Sequence, residues 1–62
     1  MANSLKKEYF LSIKSGTDYP DLEDVIVAKS KEQAIEFFYA RYSEFGRDII
    51  RQNTYSEDEM VN

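Results

Sequence analysis

The sequence predicts a small α+β domain: a three-stranded antiparallel sheet, β-β-α-β in chain order with the first strand central, and one helix packed on one face. Three observations predict it. Residues 30–46 carry apolar side chains at helical spacing between two end signals. Residues 8–14 alternate with a period of two, as a half-buried strand does. A loop rich in turn residues separates that strand from a second apolar run, so the two pair antiparallel and the helix returns the chain for a third strand.

The helix is the best-marked element. Ser30 is a good N-cap and Gln33 completes a capping box, each side chain satisfying the other's free backbone N–H. Gly46 stands where a helix closes in a left-handed residue. Ala34, Ile35, Phe38, Tyr42 and Phe45 form one stripe, with Glu32, Glu36, Ser43 and Glu44 opposite. Phe37 and Tyr39 flank the stripe, and Arg41 lays its stem beside it.

In the first strand, Tyr9, Leu11 and Ile13 share one face while Phe10, Ser12 and Lys14 share the other. Residues 15–21 include Gly16 and Pro20 and are too long for a two-residue hairpin, so an open loop is expected. Residues 22–29 read as the second strand. If Ile26 and Ala28 face the helix, Val25 and Val27 point away beside Phe10; a register one residue along would exchange the faces. Residues 47–55 read as the third strand, in which one of Ile49 and Ile50 also points away from the helix. The expected ordered core is 7–55 of a single domain spanning 1–62. The acidic run 56–62 is expected to be disordered.

Composition narrows the chemistry. With 62 residues, no cysteine and no histidine, the chain has no disulfide or usual zinc set, and its core rests on five tyrosines and four phenylalanines. Ser/His/Asp and Cys/His catalysis are excluded, no phosphate-cradling glycine loop is present, and no enzyme activity, cofactor or metal is expected. The acids Asp18, Asp21, Glu23 and Asp24 lack EF-hand spacing. A net charge of −4 disfavours direct nucleic-acid binding and fits a protein partner. No apolar run is long enough for a membrane span and no signal-peptide core is present, so a cytoplasmic protein is expected.

The functional candidate is the sheet face that one helix leaves bare. It is expected to carry Phe10, Val25 and Val27, an apolar patch of the kind that marks a partner surface or a homodimer. Tyr39, Arg47 and Arg51 are further protein-binding candidates, an aromatic at the margin and two cations able to take carboxylates bidentately. The other reading is nucleic-acid mimicry, as in anti-restriction and anti-CRISPR proteins. In it Asp21, Glu23, Asp24, Glu57, Asp58 and Glu59 imitate phosphates.

Three stretches resemble the podophage-encoded inhibitors of bacterial RNA polymerase: Lys6-Lys7 before an aromatic strand, residues 27–36 from strand end to helix start, and Asp48-Ile49-Ile50-Arg51 after the helix. Residues 28–34 also resemble short proteins of conjugative and mobile elements. The resemblance implies the same strand–strand–helix–strand layout and a phage protein that docks on a host nucleic-acid enzyme in the bacterial cytoplasm. It also implies a last-strand arginine, Arg51, set against an acidic patch of the polymerase. Asn53 and Thr54 stand where that family continues with a second arginine and a proline.

Overall fold

The computed structural model describes residues 5–14 and 21–59. Its elements are β1 (Lys7–Ile13), β2 (Leu22–Ala28), α1 (Lys31–Arg41), α2 (Arg47–Gln52) and β3 (Thr54–Ser56). The strands form one antiparallel sheet in the order β2-β1-β3, so β1 is central as expected. The open loop expected over 15–21 lies outside the described residues, apart from Asp21.

Register follows the alternation. Leu11 faces Asp24 and Phe10 faces Val25 across β1 and β2, while Phe10 faces Tyr55 across β1 and β3. Tyr9, Leu11, Ile13, Ile26 and Ala28 are therefore buried on one face, where Ala34, Ile35 and Phe38 of α1 cover them. Tyr42 and Phe45 pack on this core from beyond the helix. Ser30 accepts the Gln33 N–H at 3.1 Å, and Gln33 accepts the N–H of Lys29 rather than that of Ser30. This is a capping box shifted by one residue at its return bond.

Two expected elements differ in the structure. The helix predicted over 30–46 ends at Arg41, and Gly46 caps the start of a second helix instead of closing the first; its φ of −69° is not left-handed. The third strand predicted over 47–55 is replaced by α2 over most of its length, and only Thr54–Ser56 pair with β1. The physical reason is the adjacent pair Ile49 and Ile50. A strand would turn them to opposite faces, whereas a helix needs only one to face inward. Ile50 is fully buried and Ile49 is 44% exposed. Asp48 in the first turn and Arg51 in the last suit the helix dipole. At the exit, the Asn53 amide donates to the Ile49 carbonyl and the Thr54 hydroxyl donates to that of Ile50, which satisfies a buried polar side chain.

The acidic run expected to be disordered over 56–62 also differs where it is described. Ser56 is buried in β3, its N–H donating to Glu59 Oε1 at 3.1 Å while its Oγ accepts the Glu59 N–H. Asp58 and Glu59 pair with Lys7 and Lys31. Residues 60–62 lie outside the described residues.

The two isoleucines provide a test. Ile50→Ala is expected to destabilise by about 2–5 kcal/mol, while Ile49→Ala changes stability by about 0.5 kcal/mol or less. Urea midpoints read the difference, and equal losses at both positions would contradict α2.

Candidate functional site

The second face of the sheet has no layer over it among the described residues. Val25 is 48% exposed, Val27 52% and Tyr55 40%, with Phe10 half-buried between strands. Because Phe10 opposes Val25 on one side and Tyr55 on the other, the three form one row across the sheet. The next row pairs Val27 with Glu8. On the other side Ser12 pairs with Glu23, and a shallow groove of about 590 Å³ runs beside Phe10, Ser12, Glu23 and Val25. An apolar centre is thus bordered by acids. Glu8, Glu23 and Glu57 have no ion pair among the described residues. Glu57 sits next to Glu8, its N–H donating to the Glu8 carbonyl at 3.1 Å.

The structure brings together Phe10, Val25 and Val27, and it adds Tyr55, which the sequence reading left out in favour of an isoleucine. Alternation holds only within Thr54–Ser56, where Thr54 and Ser56 turn inward and Tyr55 outward; with α2 preceding it, the count cannot be carried back to Ile50. Tyr39, Arg47 and Arg51 are not part of this surface. Arg47 and Arg51, one turn apart on α2, meet Glu36 and Glu32, one turn apart on α1. Arg47 bridges both oxygens of Glu36 at 3.1 and 3.3 Å and lies 4.1 Å from the centre of the Tyr39 ring. Arg51 grips both oxygens of Glu32, one at 2.8 Å. The Arg51 guanidinium holds Glu32 below the usual glutamate range. These forks join the two helices.

The mimicry candidates are dispersed. Asp21 pairs with Lys14, Asp58 with Lys7, and Glu59 with Lys31. Asp24 lies on the covered side and ties β2 to α1. Its Oδ2 accepts from the Tyr42 hydroxyl at 2.6 Å and from Arg41 at 3.1 Å, and its Oδ1 accepts from the Val25 N–H at 2.7 Å. The Tyr42 hydrogen bond above all, then those from Val25 and Arg41, hold its carboxyl below the ordinary aspartate value. Glu23 and Glu57 have no ion pair among the described residues and lie beside the apolar row. No group of three metal-ligating side chains occurs among the described residues, and no described helix is long and apolar enough to cross a membrane.

Comparison with known proteins gives no significant match to any family model, curated protein or solved structure.

A carboxyl lowered by folding stabilises the fold at every pH above its ordinary value. It loses that contribution as pH falls through the lower folded value. Stability is therefore expected to drop on acidification below roughly pH 4, with Asp24→Asn less stable at neutral pH and flatter on the acid side. Urea midpoints measured across that range decide it. The same slope in both proteins would remove Asp24 from the account.

Proposed function

We propose that this chain is a non-enzymatic docking module. Its bare sheet face seats on a partner protein with an apolar centre and a basic border, and the partner is a bacterial nucleic-acid enzyme whose work the docked module blocks. The observation that carries the reading is the cross-strand row Val25, Phe10 and Tyr55, with Val27 beside it and acids at its edges. Burying such a row against apolar side chains supplies affinity, and the unpaired carboxylates steer it toward positive surfaces. Enzymes that handle nucleic acid present such surfaces because they must hold phosphates. The likeness to podophage inhibitors supports the same partner class and a site of action in the host cytoplasm. Arg51, which that likeness would direct at an acidic patch, is held by Glu32, so the contact surface proposed is the sheet face.

Nucleic-acid mimicry has less support. Four of its six candidate acids, Asp21, Asp24, Asp58 and Glu59, are neutralised by a cation of the chain itself.

Purified bacterial RNA polymerase is the first defined probe, passed over the immobilised wild-type chain and over a Phe10→Ser, Tyr55→Ser variant. Lysate is a second arm that reports other nucleic-acid enzymes. Retention that falls by at least about tenfold on the variant, with its circular dichroism unchanged, is the expected result. Equal retention by both proteins, or retention of no nucleic-acid enzyme by the wild type, ends the proposal.

A further inference from the structure

A different surface, the edge of β2 with which no strand pairs among the described residues, has a backbone pattern that can be read from the register. Ser12 donates its N–H to the Asn53 carbonyl, and the Glu8 carbonyl accepts from Glu57, so the even-numbered residues of β1 bond toward β3. The odd-numbered ones then bond toward β2, where they face Asp24, Ile26 and Ala28. The backbone groups of Glu23, Val25 and Val27 consequently point off the edge of the sheet. This is a seven-residue edge with a Val25-Ile26-Val27 run and no proline. Natural sheets blunt such edges because they recruit other strands. Two outward N–H groups are already engaged, that of Val25 by the Asp24 carboxylate and, just past the strand, that of Lys29 by the Gln33 side chain. Beside the edge runs an open groove of about 530 Å³, lined by Val25, Ile26 and Val27 on the strand and by Phe37, Ala40 and Arg41 on α1. Phe37 is half exposed there.

We propose that the occupant of this edge is a second copy of the chain, paired β2 to β2 antiparallel about a two-fold axis at Ile26, which joins two three-stranded sheets into one of six strands. Charge selects the copy and the register. Glu23 stands near one end of the edge and Lys29 one residue beyond the other, and neither has an ion pair among the described residues. An axis at Ile26 sets Glu23 opposite Lys29 of the second copy, twice by symmetry, with Val25 opposite the second copy's Val27. Axes at Asp24, Val25 and Val27 also align the outward backbone groups, but the first two leave Glu23 facing a valine and the third leaves Lys29 facing one. In the selected register the Val27 N–H donates to the Val25 carbonyl across the axis without disturbing Asp24. The reciprocal Val25 N–H transfers from Asp24 Oδ1 to a carbonyl, while Asp24 keeps Tyr42 and Arg41 on Oδ2.

Sedimentation velocity over a range of concentrations tests this. The wild type is expected to show a concentration-dependent dimer. Glu23→Lys is expected to weaken it by at least about tenfold, and adding Lys29→Glu to that variant restores it. Val27→Pro removes an N–H that β1 does not use, so it is expected to abolish the dimer while the circular dichroism stays native. Phe10→Ser, Tyr55→Ser leaves the dimer intact, which separates this proposal from face docking. A wild type that stays monomeric up to roughly 1 mM overturns self-pairing, even where an added extended peptide takes the edge. So does a dimer indifferent to both Glu23→Lys and Val27→Pro, or one that the charge swap fails to restore.

Discussion

One layer of helix can keep water from only one side of a sheet, and the architecture of this chain depends on which side it covers. The covered side is the one that holds Phe38, fully buried in one cluster with Leu11, Ile35 and Ile50. In so short a chain the core is a single shell of side chains, with little apolar material left for a second layer. The alternation that sends Tyr9, Leu11 and Ile13 toward Phe38 necessarily sends Phe10 away from it. The exposed row is therefore a geometric consequence of the core, but its chemistry is not. A sheet face wetted by water ordinarily alternates to polar residues. Here Val25, Val27 and Tyr55 occupy positions where threonine or lysine would keep the same strands.

The bare face was legible in the sequence because period-two alternation survives whatever the loops do. Leu11 and Phe10 belong on opposite sides in any register that keeps the strand. What was not legible is how the chain comes back to β1 after α1. Residues 47–55 contain two adjacent isoleucines, and a short run of that kind fits a buried strand or a single helical turn equally well. The decision was made by tertiary fit: α2 buries Ile50 alone and lets the Arg47 and Arg51 forks reach Glu36 and Glu32. Gly46 was read at the right place with the wrong role, since glycine serves both helix ends. The tail was misjudged because composition sees three consecutive acids and misses that Lys7 and Lys31 lie within reach of two of them.

Electrostatics then divides the molecule. Among the described residues, six of the eight Lys and Arg cations are engaged by carboxylates of the same chain. Most of these pairs are exposed, and such pairs contribute little individually to stability. Their larger effect is on the surface that remains. Pairing removes positive charge from the helical layer and from both ends of the sheet, so the acidic surplus is left partly at Glu8, Glu23 and Glu57 around the apolar row. The bare face therefore carries three acids that have no ion pair among the described residues. Arg47 and Arg51, which the sequence offered for binding, pair α2 with α1.

Face and edge are different kinds of surface, and their compatibility follows from strand geometry. Side chains leave a strand perpendicular to the sheet, whereas backbone N–H and C=O groups leave it within the sheet. A partner seated on Phe10 and Tyr55 approaches along one direction, and a second copy pairing with β2 approaches at right angles to it. Val25 and Val27 take part in both, with their side chains in the face and their peptide groups in the edge. Edge pairing would extend the exposed face across two copies and bring the Val25 of each beside the Val27 of the other, turning a narrow row into a wider apolar band. The acidic border would be altered at the junction, since Glu23 then lies against Lys29. A two-fold assembly of this kind binds best to a target that is itself repeated or symmetric, because the second contact becomes intramolecular once the first is made.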